Sequence, residues 1–132
     1  MSLHPLDYRT AFELAPIGLM LSRERLVTDA NQQARLIFGA QPEQLVGRSF
    51  EQLYPTPAEF ERTGQRIVAS LDRQGRYADD RIMKRLGGPG AGELFWCHVS
   101  GRALDPALPH AAGIWAFEDL SSRRALTVEF TA

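Results

Sequence analysis

ANQQARLIFGAQPEQLVGRSFEQLY, residues 30–54, packs three helix starts and two glycine stops into one stretch. Asp29, just ahead of it, is placed to cap a helix whose third position is Gln32. Ala30, Ala34, Ile37 and Phe38 then share one face until Gly39 ends the helix. Pro42 suits the first position of a very short second helix that stops at Gly47. Ser49, with Gln52 three residues on, has the capping-box pattern for a third, closed by Pro55. Helices this short are marginal in water unless an apolar sheet covers Ile37, Phe38, Leu45, Val46, Phe50 and Leu53. The stretch therefore requires a sheet in the flanking sequence.

The flanks supply one. Ile17 to Ser22 and Leu26 to Ala30 are apolar runs separated by Arg23-Glu24-Arg25, the pattern of a β-hairpin. Ile17, Leu19 and Leu21 fall on one face of the first run and Met20 on the other. Both faces are apolar, which makes this strand central, or sets its outer face against a helix or a second subunit. Upstream, Tyr8, Ala11, Phe12 and Ala15 recur at helical spacing between Pro5 and the stop at Pro16, predicting a capping helix over residues 5–15. Downstream, Thr56 offers an N-cap, Pro57 the first helical position and Glu59 the reciprocal acid. Phe60, Gly64, Ile67, Val68 and Leu71 form the stripe of the longest helix.

After Gly75 the pattern becomes alternation. Tyr77 to Leu86 and Leu94 to Leu104 read as long antiparallel strands joined across the glycine-rich Gly87 to Gly92. In the second of these Phe95, Cys97, Val99 and Gly101 share one face, and Trp96, His98 and Ser100 the other. A last strand, Gly113 to Asp119, sets Trp115 and Phe117 against Ile114, Ala116 and Glu118. Two strands, helices, then three strands predict an α+β fold: one five-stranded antiparallel sheet with the helices on a single face.

At 132 residues and 44% hydrophobic content, the chain is read as one domain with a real core. A net charge of −1 gives no global pull toward nucleic acid or anionic membrane. Cys97, the single cysteine, excludes an internal disulfide and a multi-cysteine metal site, and suits a reducing cytoplasm. No apolar run approaches the length of about 18 residues that a membrane span needs, and the N-terminus lacks signal-peptide character. The expected location is cytoplasmic. No nucleophile, base and orienting group occur at recognisable spacing, and Asp79, Asp80, Glu93, Glu118 and Asp119 read as strand-edge and turn charges. An enzyme is not expected.

The order AFELAPIGLML, VTDANQQARLIFG, QPEQLVGRSFEQLYP, ELFWCHVSGRAL and AGIWAFEDLSSRR, from Ala11 to Arg124, resembles a PAS domain. The resemblance implies strand order 2-1-5-4-3, a pocket between the helices and the concave face of the sheet, and a role in sensing or in pairing proteins. It implies a sensor domain over residues 1–119 and, over 120–132, a linker toward an output domain. Val128 to Ala132 resembles the approach to a LuxR-type helix-turn-helix, although a histidine kinase would need the same kind of linker.

Flavin photosensors of this family carry a reactive cysteine in the segment that reads Gly47-Arg48-Ser49-Phe50-Glu51-Gln52 here, and polar amides where Ile82, Cys97 and Phe117 align. Haem-binding members use a histidine on the long helix, and His4, His98 and His110 all lie off it. Neither cofactor nor a metal is expected, only a small organic ligand, and the protein is expected to be colourless. The lining of an open pocket is predicted to be Met20, Ala34, Phe38, Phe50, Ile67, Ile82, Phe95, Cys97, Val99, Trp115 and Phe117; filled by their own side chains, they are simply a core. Cys97 reads as a small core hydrophobe or as a redox or ligand group. Leu19, Leu21, Trp96, His98 and Ile114 are the expected outer surface, covered by the N-terminal helix or by a second copy in a homodimer. The output domain is expected in the same chain, with no direct binding of nucleic acid or membrane by this domain.

Overall fold

Arg23-Glu24-Arg25 does turn the chain: Glu24 and Arg25 take φ of 50° and 63°, the left-handed pair of a tight hairpin turn. The turn joins β1 (Gly18–Arg23) to β2 (Leu26–Ala30). The computed structural model describes residues 7–121. Pro5 and Leu6 of the expected N-terminal helix, His4, and most of the expected linker with Val128 to Ala132 lie outside the described residues.

Helix α1 (Tyr8–Leu14) precedes the hairpin, and α2 (Gln32–Phe38), α3 (Pro42–Leu45), a 3-10 turn η1 (Phe50–Leu53) and α4 (Pro57–Ser70) follow it. The chain closes with β3 (Arg76–Lys84), β4 (Leu94–Ala103) and β5 (Ala112–Asp119). Among the described residues the sheet has five strands, all antiparallel, in the order β2-β1-β5-β4-β3.

Local capping chemistry sets most of the boundaries. Thr56 Oγ1 accepts from Glu59 N at 3.1 Å, Ser49 Oγ accepts from Glu51 N at 3.0 Å, and Pro42 opens α3. The cap of α2 differs from the expectation. Asn31, not Asp29, holds the N-terminus, because Asp29 is still paired to Leu21 in β2 while its carboxylate meets Arg9 of α1. Gly39 ends α2 at φ 62°, and Ala40 N reaches back to Arg35 O at 2.9 Å. At that position a side chain would be strained and would also run into the Gly87 carbonyl.

The core lies between the helices and the inner face of the sheet. Phe38, fully buried, meets Phe95 and Phe117 edge to face at centroid distances of 5.7 and 5.4 Å. Met20, Leu45, Leu53, Met83 and Val99 complete it. Val46 and Val68, expected under cover, are exposed, and Thr63 takes a buried place on α4 instead. The segment after α3 runs along the free edge of β2, with Val27 N donating to Arg48 O and Gly47 N to Val27 O, so that edge is not left open.

The glycine-rich loop leaves the register of β3 and β4 unbroken from Arg76↔Arg102 to Lys84↔Leu94. This register corrects one expectation. Arg81, not Ile82, pairs with Cys97, so Tyr77, Asp79, Arg81 and Met83 point inward and Ile82 faces outward beside Trp96, 39% exposed. Apolar Ile82 looked like the inward residue; the inward set instead contains a buried ion pair that alternation of polarity does not reveal. Helix α1 also sits differently from a cap over the outer face. Its contacts run chiefly to α2, through Glu13 and Arg35, while Asn31 Nδ2 donates to Phe12 O at 2.9 Å.

Candidate functional site

A small, partly enclosed space lies where the expected pocket should be. It measures about 30 Å³, room for about one water molecule. Its walls are Ser22 of β1, Arg25 of the hairpin turn, Phe50 and Tyr54 at η1, Phe60 and Ile67 of α4, Arg81, Val99, Trp115 and Phe117 of the sheet, and Pro109 and His110 of the loop before β5. Of the predicted lining, Phe50, Ile67, Val99, Trp115 and Phe117 are on it. Met20, Ala34, Phe38, Phe95 and Cys97 are buried in the adjoining core and do not line it. Ile82 is on the other side of the sheet.

Sequence reasoning missed the polar half of the wall. Arg81 is 6% exposed, with Nε donating to Asp79 Oδ1 at 2.7 Å and Nη1 to the Tyr54 hydroxyl at 2.7 Å. Its Nη2 is buried and has no hydrogen-bond partner among the described residues. An unmet donor in this setting costs about 1–3 kcal/mol or more, so it is a feature that needs an explanation. Burial opposes the charge on Arg81, but Tyr54 and Asp79 hold the guanidinium above its ordinary range.

Asp79 is likewise opposed by burial, yet the Tyr77 hydroxyl and the Arg81 and Arg66 guanidiniums keep its carboxyl below the usual value. The expectation that Asp79 is a strand-edge charge is thereby corrected: it is the hub that Tyr77, Arg66 and Arg81 all reach. The available signal was the spacing Tyr77, Asp79, Arg81, three polar-capable residues on one strand face.

Arg25, half-buried, forms part of the wall. Its guanidinium stacks 3.7 Å from the Phe60 ring centroid and donates to Phe60 O at 3.2 Å, and it lies where a side chain on Gly64 would have to go. His110 beside it has its pKa lowered, first by burial and then by the Arg25 charge. On the far wall Trp115 Nε1 donates to Ser22 Oγ at 3.0 Å, and the ring occupies the room left by Gly101, the residue opposite it on β4.

Cys97 is fully buried, and desolvation pushes its thiol up to about 12. It is expected to stay unmodified by a thiol reagent such as DTNB at pH 8 in native protein and to react stoichiometrically in denaturant. Rapid native labelling would contradict the burial. Among the described residues, no three His, Cys, Asp or Glu side chains gather as a metal site would require, and no helix is long and apolar enough to cross a membrane.

Known proteins share this architecture. The family model of the PAS domain matches residues 16–122. The PAS domain of a LuxR-family transcriptional regulator from Burkholderia thailandensis, solved in complex with ethanol, is 60% identical with a TM-score of 0.81, covering 87% of this chain and 98% of that one. A PAS domain of a protein from Colwellia psychrerythraea is 15% identical with a TM-score of 0.73, over 86% of this chain and 94% of that one, a likeness of fold. The sensor protein TdiS of Thauera aromatica is 27% identical over 117 residues, 89% of this chain; the chain spans only 21% of the length of that relative.

Proposed function

The chain belongs to the PAS domain family, and from that premise we propose that it is the cytoplasmic sensory domain of a bacterial LuxR-type transcription regulator, itself non-catalytic. It takes a small organic ligand in the space between η1, α4 and the sheet, and relays occupancy to a helix-turn-helix output in the same full-length chain. The observation that carries this is the small, partly enclosed, mostly apolar space whose wall carries the buried, unmatched Nη2 of Arg81. The 60% identical LuxR-family relative, with its ethanol, supports both the ligand size and the output class. The relation to TdiS supports a second reading, the sensor of a signalling kinase.

A ligand that binds only the native state raises its apparent stability, by about 2.7 kcal/mol at a hundredfold excess over Kd. A thermal-shift screen of small metabolites, begun with short alcohols and acids, is expected to find a stabilising compound. A flat response across the screen overturns the sensor reading in favour of a ligand-free dimerisation module. The purified domain is expected to show no flavin or haem absorbance, since a space of about 30 Å³ admits neither ring system.

The domain is also proposed to act as a homodimer through the outer sheet face. Trp96, Ile82 and Ile114 are 39%, 39% and 42% exposed there, beside Leu19, Leu21 and His98, and α1 is occupied with α2. A second copy covers this face isologously and gives the two-fold symmetry that helix-turn-helix outputs use. Sedimentation is expected to show a dimer that Trp96→Glu dissociates. A wild type that stays monomeric at high micromolar concentration, or a variant that dimerises equally well, overturns the proposal.

A further inference from the structure

The polar wall of the cavity selects a ligand class, and we propose that the site takes a short-chain carboxylate whose two oxygens accept from Arg81 Nη2 and the Tyr54 hydroxyl. This inference rests on the sensory reading above and deepens it by naming what is sensed.

Two donors converge here without a use inside the protein. The Arg81 guanidinium is engaged on Nε by Asp79 and on Nη1 by Tyr54, while Nη2 is buried and unmatched among the described residues. Tyr54, 7% exposed, appears in these bonds only as the acceptor, so its own proton has no acceptor among the described residues. Both side chains line the cavity. A buried donor regains what it lost on leaving water only by meeting an acceptor, and the strongest acceptor for a guanidinium is an ionised oxygen.

Charge points the same way. Arg25 and Arg81 line the space and the half-exposed Arg66 stands behind Asp79, so three guanidiniums accompany one partly buried carboxylate. A further carboxylate, Glu61, is largely exposed and lies 3.8 Å from Arg25. Asp79 does not meet Nη2: Arg81 reaches its Oδ1 through Nε alone, and the Tyr77 hydroxyl and Arg66 both reach Oδ2. A bound anion would balance the surplus in a place where low dielectric makes the balance matter.

The remainder of the ligand must be apolar and short. Val99, Phe117, Ile67 and the Trp115 ring supply the apolar part of the same lining. The volume of about 30 Å³ requires some outward give, for which the half-buried Arg25, Pro109 and His110 are placed. An amine would add a fourth cation to this group. An alcohol offers one accepting oxygen but brings a proton of its own, in a wall already rich in donors.

The test titrates the chain with propionate, 1-propanol and propylamine at matched ionic strength, following the Trp115 indole N–H by NMR to confirm the site. Propionate is expected to bind about tenfold or more tighter than 1-propanol, with propylamine undetectable, the factor an added charge-assisted hydrogen bond supplies. Arg81→Gln is expected to weaken propionate by at least about tenfold and 1-propanol by less than about threefold. Because that change also strands Asp79 and can impair folding, Tyr54→Phe serves as the second variant. It keeps the ring and the Arg81 charge and is expected to weaken propionate several-fold while sparing 1-propanol. Binding of 1-propanol or propylamine as tight as propionate, or propionate binding indifferent to Tyr54→Phe, overturns the carboxylate assignment and leaves the sensor reading intact. Silence from all three probes at the Trp115 signal overturns the carboxylate assignment, and a flat metabolite screen as well takes the sensor reading with it.

Discussion

Asn31→Leu is expected to lower the unfolding free energy by on the order of 4 kcal/mol. Asn31 is fully buried, and its amide is used at both ends. Oδ1 accepts from Leu19 N at 2.8 Å and Ala34 N at 2.9 Å, and Nδ2 donates to Phe12 O at 2.9 Å and Ile17 O at 3.0 Å. One side chain thus ties the exit of α1, the start of β1 and the first turn of α2. Leucine keeps the γ-branched skeleton with bulkier methyl groups but leaves two N–H groups and two carbonyls without partners, each costing about 1–3 kcal/mol if water cannot reach it. Against a typical total of about 5–15 kcal/mol the domain would be close to unfolding. Asn31→Ser, which can still cap Ala34 N, is expected to recover about 1 kcal/mol of the loss. Urea denaturation of the three proteins measures this, and a loss below about 1 kcal/mol for Asn31→Leu would show that the amide is not the tie.

Phe38→Ala is the second large effect, with an expected loss of about 3–5 kcal/mol. The ring is fully buried, packed edge to face on both Phe95 and Phe117, at the end of α2 where the chain is about to turn at Gly39. Its backbone carbonyl also receives Leu86 N at 2.8 Å, so the surrounding chain is held from two sides and has little freedom to collapse into the space left behind. Phe38→Leu keeps most of the volume and is expected to cost much less, about 1.5 kcal/mol or under. Equal urea midpoints for wild type and Phe38→Ala would mean that the core closes over the gap, contrary to this packing.

The two substitutions separate what was legible from what was not. Phe38 belongs to the apolar stripe of a short helix and was recognisable as core from spacing alone. Asn31 was visible only as one of several capping-competent residues near Asp29, and choosing between them required knowing where β2 ends. That boundary is set by pairing of Asp29 with Leu21 across the hairpin. The same limit governed the pocket. Its apolar wall of Phe50, Ile67, Val99, Trp115 and Phe117 follows from strand alternation and the helix stripe. Arg25, Tyr54 and Arg81 escaped because nothing in a single segment announces a polar side chain turned inward.

The sequence by itself determined the order and kind of the elements, the five-stranded antiparallel sheet and the helix stops at Gly39 and Pro55, because caps, turns and alternation are decided within a few residues of chain. Only the tertiary structure decided which face of β3 is buried. Register is a property of two strands, and Cys97 meeting Arg81 carries Ile82 to the outside. Tertiary contact likewise decided that a guanidinium could be buried at all. Arg81 is held by Asp79 two residues away on its own strand and by the Tyr54 hydroxyl at the end of η1, and the carboxylate is the partner that offsets the cost of desolvating the charge.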